Sequence, residues 1–154
     1  MAILEDSEVE KRGRYAVIKL SFRCLDPYWY AIQDDIYTYS TTGTKNISRK
    51  GNAESYPLIE ISGISTGGKF TISANGSEMT YTGALSAGQK LVIDSELLTA
   101  YILSGDGVTK TSVLNRLDVL DFPVLSRGLS EFTIGASSGA TLSECKVICR
   151  SRWK

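Results

Sequence analysis

Between residues 14 and 24 the even positions are apolar (Ala16, Ile18, Leu20, Phe22, Cys24), and Lys19, Ser21 and Arg23 fall between them. A period of two puts alternate side chains on opposite faces, so this run predicts a first strand with one face in a core. The run stops at Asp26-Pro27, and three aromatics follow, Tyr28-Trp29-Tyr30. Proline has no backbone donor and ends ladder pairing, while three rings in a row supply a large contact area in a short span. Alternation returns weakly over 35–41 (Ile36, Tyr37, Tyr39) and clearly over 57–63, with Ile59 and Ile61 inward and Glu60 outward. Residues 42–55 are polar, with Gly43 and Gly51, and predict a loop. Residues 1–12 are charged and aperiodic and predict a loose tail or joining segment.

Asn75-Gly76 sits between two alternating runs, the signal of a two-residue type I′ hairpin. That turn sets Ala74 opposite Ser77, Ile72 opposite Met79, Phe70 opposite Tyr81, and Thr71 opposite Thr80 on the other face. A slip of one residue would destroy the match. Gly63, Gly67 and Gly68 predict a flexible connection between Ile61 and Phe70. Further strands are expected at 89–94, 98–103, 131–135 and 141–152, with a turn at Ser104-Gly105-Asp106-Gly107. One helical turn is expected over 112–120, where Val113, Leu114, Leu117 and Leu120 fit a 3.6 period and Ser112 offers an N-cap. About nine short strands spaced by Gly, Asn and Ser turns describe an all-β chain, an antiparallel β-sandwich or jelly roll. The expected division is a tail or linker over 1–13 and one sandwich domain over 14–154.

Composition narrows the chemistry. A chain of 154 residues buries roughly 70% of its unfolded surface, enough for a core without staples. Lys plus Arg (17) equals Asp plus Glu (17), which argues against nucleic-acid or anionic-membrane binding by bulk electrostatics. No apolar run is long enough to cross a membrane as a helix, and the acidic N-terminus lacks a hydrophobic signal region. There is no histidine, which excludes Ser-His-Asp and Cys-His nucleophile pairs. The cysteines lack metal-ligand spacing, and neither a cofactor nor a metal is expected. Cys145 and Cys149 lie roughly 13 Å apart on one strand, beyond a disulfide span, and Cys24 could meet one of them only if the first and last strands are neighbours; the better reading is three small buried apolar side chains in a reducing compartment. Asp26, Asp34, Asp35, Glu60, Asp94 and Asp121 are the acids from which a glycoside-cleaving pair could be drawn, but most such residues are solvated faces, caps or turn formers.

The aromatics therefore carry the functional question. In an extended segment Tyr28 and Tyr30 share one face and Trp29 takes the other. They close the core, form a protein interface, or offer a platform for sugar rings. Tyr28, Trp29, Tyr30 and Trp153 are the candidate packing or interface anchors.

Several elements in order resemble a known family. The first strand runs into Cys24-Leu25-Asp26-Pro27-Tyr28-Trp29-Tyr30; a proline-led strand spans Asn52 to Ile61; the 70–81 hairpin precedes Gly88-Gln89-Lys90-Leu91-Val92-Ile93-Asp94-Ser95. Phe122-Pro123 and Arg127-Gly128 precede a strand, and the chain ends in Cys149-Arg150-Ser151-Arg152-Trp153. From about 14 to 153 this ordered set resembles the C-terminal domain of siphophage distal tail proteins. The resemblance implies a galectin-like sandwich in the tail-tip hub of a phage or prophage, without enzymatic activity. The implied partners are tail-tube, tail-tip and receptor-binding proteins, with neither nucleic acid nor membrane. It implies assembly in the bacterial cytoplasm and residence at the virion tail tip. The family's hexameric ring is built by an N-terminal domain, and almost nothing precedes the sandwich here. The alternative is a carbohydrate-binding module that helps adsorption to a cell-surface saccharide.

Overall fold

The computed structural model describes residues 2–154. It contains two compact units, one of residues up to Trp29 together with Lys154, the other Tyr30–Trp153. The expected break after residue 13 is therefore not where the contacts divide. The first unit is a hairpin of β1 (Ala2–Arg12) and β2 (Tyr15–Cys24), turned at Gly13 with φ 62°. The segment expected to be an aperiodic tail is thus a strand. Its period is hidden by a bulge: Leu4 opposes Phe22, the register then shifts between Leu4 and Asp6, and Val9 opposes Ile18. One extra residue throws the apolar positions on its two sides out of phase.

The ribbon is amphipathic. One face carries the Leu4–Phe22 and Val9–Ile18 pairs with Leu20, and the other carries Glu8–Lys19 at 3.4 Å. The alternation in β2 is real, but the expectation that it faces a core is corrected: Ile18 is 63% and Phe22 58% exposed.

The second unit begins with β3 (Trp29–Tyr30), whose first residue belongs to the ribbon unit, and continues through β4 (Asp35–Tyr39), β5 (Gly43–Ser48), β6 (Leu58–Ala74), β7 (Ser77–Leu85), β8 (Lys90–Asp94), β9 (Thr99–Leu103) and β10 (Lys110–Ser112). A 3-10 turn (Leu114–Arg116) leads to β11 (Leu129–Ala136), β12 (Ala140–Cys149) and β13 (Arg152–Trp153). The 17-residue β6 belongs to both layers of an antiparallel β-sandwich. Its first half lies between β8 and β12, in the order β10-β9-β8-β6-β12-β4. Its second half lies between β7 and β11, in the order β7-β6-β11-β5. Ile59, Ile61, Leu91, Ile93 and Val147 of one layer meet Phe70, Ile72, Met79, Tyr81, Phe132 and Ile134 of the other in one core.

The hairpin register is the expected one, with Ala74 opposite Ser77, Ile72 opposite Met79 and Phe70 opposite Tyr81. Asn75 (φ 50°) and Gly76 (φ 93°) both take the left-handed conformation that a type I′ turn requires. Asn75 Nδ2 also donates to the Val124 carbonyl at 2.9 Å, which ties the turn to the segment before β11.

Several expectations change. The stretch around Gly63, Gly67 and Gly68 is not a flexible connection but the middle of β6, where the ladder with β7 slips between Thr66 and Lys69. A Cβ on Gly63 would overlap the Thr141 carbonyl, and one on Gly68 would meet the Ala140 backbone. These glycines let β12 approach where β6 passes from one layer to the other. Part of the expected 42–55 loop is β5, a mostly exposed strand whose Ile47 alone is fully buried. The expected helical turn over 112–120 shrinks to three residues, with Val113 rather than Ser112 at the N-cap and no side-chain cap. A nine-residue periodic run without caps is too short to sustain a helix. Leu98 is not in a strand but ends the β8–β9 loop at φ 51°. Cys145 and Cys149 are buried as expected, whereas Cys24 is exposed.

Burial also holds the Cys145 and Cys149 thiols at about 12, far above the ordinary cysteine range. In native buffer near pH 8, an aromatic disulfide reagent will modify Cys24 quickly, and the other two thiols only on unfolding. Chemical denaturation will rank two glycine replacements. Gly63→Ala will cost about 2–4 kcal/mol, because backbone must move. Gly76→Ala will cost only about 1 kcal/mol, for its positive φ alone, because no atom lies within 4 Å of the added methyl.

Candidate functional site

The candidate anchors are placed as follows. Asp26 Oδ1 accepts the Tyr28 amide at 3.0 Å and turns the chain at Pro27. Tyr28 is half-buried, Trp29 is 80% exposed and Tyr30 is 47% exposed. Trp153 is half-buried on β13. The inner aromatics are others: Tyr37 and Tyr39 pack against the core, and Tyr39 stacks on Phe132 with centroids 6.2 Å apart.

Within the sandwich, Tyr30 lines a small pocket with Tyr56, Glu96, Arg150 and Arg152. It adjoins a groove of about 340 Å³ lined by Tyr56, Ser95, Glu96, Leu98 and Arg152. The local sequence explains its shape. Asp94 ends β8, and its Oδ1 accepts the Glu96 and Leu97 amides at 3.0 and 3.1 Å, shaping the β8–β9 loop. Arg150, just beyond β12, grips both Asp94 oxygens at 2.9 and 3.0 Å and reaches Glu96 at 2.7 Å. A bidentate guanidinium–carboxylate pair fixes direction as well as charge. Burial by itself raises the Asp94 pKa; the hydrogen bonds from Arg150 and the loop amides outweigh it and hold the carboxyl below its usual range. Asp94 in turn raises Arg150.

Arg152 Nε donates to the Glu54 carbonyl at 2.7 Å, and its guanidinium lies over the Tyr56 ring, 4.8 Å from the centroid. Leu98 stands 62% exposed at the rim. Ser95 is 1% exposed, and its Oγ has no hydrogen-bond partner in the protein.

The acids considered for hydrolysis are mostly engaged elsewhere. Asp94 is gripped by Arg150, Glu60 pairs with Lys90 at 3.1 Å, and Asp35 accepts from the Lys50 amide and the Ser151 hydroxyl. Asp34 and Asp121 are exposed. Among the described residues, no group of three or more His, Cys, Asp or Glu could hold a metal ion, and no helix is long and apolar enough to cross a membrane.

Sequence reasoning found Tyr30 but not Tyr56, Ser95, Glu96, Leu98 or Arg152 as its surroundings. A loop four residues long between two apolar runs marks a turn; nothing in the chain says that Arg150 folds back on that turn.

No protein-family model matches the chain, and no curated protein matches it. Among solved structures, the chain superposes on the SPP1 Dit (gp 19.1) protein, a paradigm of hub adsorption apparatus in phages infecting Gram-positive bacteria, with a TM-score of 0.75 at 12% identity. This is the fold of a phage distal tail protein. The match covers 99% of this chain and 59% of SPP1 Dit, so the chain spans about three-fifths of that protein's length. Ribbon and sandwich strands therefore both have counterparts in the distal tail protein, which the ordered elements of the sequence resemble.

Asp94 gives the prediction. A depressed carboxyl contributes stability that is present above its unfolded value, roughly 3.9, and is lost as pH falls through the folded value. Asp94→Asn will cost about 2 kcal/mol near neutral pH, because Arg150 loses its bidentate carboxylate and keeps Glu96. The variant will also lose stability less steeply than the wild type between about pH 4 and pH 2. Urea unfolding at several pH values measures both.

Proposed function

We propose that the chain is a structural, non-enzymatic module of a phage or prophage tail tip, made in the host cytoplasm and carried at the virion's tail end. The observation that carries this reading is the exposed apolar face of the β1–β2 ribbon. Ile18, Leu20 and Phe22 are each more than half exposed, on a hairpin that is a compact unit of its own. An isolated two-stranded hairpin is marginal in water, and contiguous exposed apolar surface marks an interaction site. The fold shared with SPP1 Dit supports the same reading. Neighbouring tail subunits cover the ribbon, as tail-tube or tail-tip proteins or as further copies of the chain in a hexamer. The sandwich presents Tyr30, and the ribbon unit presents Trp29, to receptor-binding proteins. Exposed Trp and Tyr are the residue types that dominate interface energetics.

A second reading, binding of a cell-surface saccharide, is favoured by one observation, the 80% exposure of Trp29, since a ring must be open to stack on a sugar.

Immunogold electron microscopy with antibodies to the chain will label the tail tip of virions released from the strain that carries the gene. Labelled capsids or unlabelled tails would refute the proposal. A variant with Ile18, Leu20 and Phe22 all changed to Ser will keep the sandwich's unfolding free energy to within about 1 kcal/mol, because these positions are exposed, yet will be missing from assembled tails. Normal incorporation of that variant would show that the ribbon face is not the contact.

A further inference from the structure

We infer that the groove between the β8–β9 loop and the final strand is a saccharide-binding site formed by Tyr56, Ser95, Glu96, Leu98 and Arg152. The ligand class rests on the second reading above; the location does not, because Trp29 takes no part in this groove.

Its volume, about 340 Å³, lies within the range of small-molecule sites, roughly 300–1,000 Å³. The wall is built rather than incidental. Leu98 holds φ 51°, a conformation that a leucine keeps only when its surroundings enforce it. Here the enforcement comes from Asp94, which accepts two loop amides and is itself held in a bidentate grip by Arg150. The same Arg150 pairs with Glu96 at 2.7 Å, which fixes the direction of that carboxylate at the rim. Arg152 is held over the Tyr56 ring, 4.8 Å from its centroid. Ser95 contributes a buried hydroxyl that no protein group satisfies.

The mixture of groups selects the ligand. An anion would face the Glu96 carboxylate. A wholly apolar molecule would cover Glu96 and Arg152 without replacing their hydrogen bonds to water, which costs more than the apolar contact returns. A sugar ring meets all five residues. Its hydroxyls donate to Glu96, accept from Arg152 and pair in either sense with Ser95, while its C–H face lies on Leu98 and the Tyr56 edge.

The test is a titration of the full ¹⁵N-labelled chain with glucose, galactose, N-acetylglucosamine and their short oligomers, followed by amide chemical shifts. The expected result is saturable movement of the amides from Ser95 to Leu98 with at least one of these sugars. Affinity will fall about tenfold in Glu96→Gln, which weakens a charged hydrogen bond. It will fall by a similar factor in Leu98→Gly, which removes the apolar contact; that variant relieves the positive φ, so loss of fold cannot explain its result. Unchanged affinity in both variants would overturn the groove. Binding that leaves these amides still and disappears in Trp29→Ala would also overturn it while keeping the saccharide reading, and no binding to any of these sugars would end both.

Discussion

The sandwich depends on one strand. β6 runs unbroken through both layers, pairing with β8 and β12 in its first half and with β7 and β11 in its second. A single strand can serve two sheets only if it changes direction between them, and a bend of that kind needs a place where neighbouring backbones come unusually close. Gly63 and Gly68 supply it, because only a residue without a Cβ fits beneath the Thr141 and Ala140 backbone. Two register slips, one against β7 and one against β12, absorb the remaining mismatch. Once that crossing is set, the inward residues of the two halves, Ile59 and Ile61 on one side and Phe70 and Ile72 on the other, converge on the same core.

Two arginines stabilise what the core does not reach, by different means. Arg150 works through carboxylates, joining the end of β12 to the β8–β9 loop through Asp94 and Glu96. Arg49 works through carbonyls. It is 5% exposed and donates to the backbone oxygens of Ser126, Leu125, Lys50 and Ala53, which joins the segment after β5 to the segment before β11. Burial pulls its pKa down, yet a guanidinium remains protonated, and its fork of donors satisfies several loop carbonyls at once. Long loops in a small sandwich would otherwise carry unpaired backbone polar groups into the interior.

The ribbon and the sandwich illustrate two uses of the same pattern. In β7, alternation puts Met79 and Tyr81 at 0% exposure; in β2, an equally regular alternation leaves Leu20 and Phe22 more than half exposed. The period says only that one face is apolar. Whether that face meets the chain's own core or the outside is a property of topology, and here the difference separates a structural face from a candidate interface.

The 70–81 hairpin was fully readable in the chain, register included, because turn chemistry and side-chain alternation are local and agree. The all-β class and the inward positions of 57–63 were readable for the same reason. The placement of Tyr30 in the small pocket beside the groove, the continuity of β6 through three glycines, and the strand hidden in 2–12 by its bulge were not, since each depends on what lies across a ladder rather than along it. The groove itself is the clearest case. Its walls come from residues 56, 95, 96, 98 and 152, which are brought together only when β6, β8 and the end of β12 lie side by side. Local periodicity decided which residues could pair and which way they point, because that information spans two to ten residues; tertiary structure alone decided which of those faces meet, because pairing of distant strands is settled by the closing of the whole core.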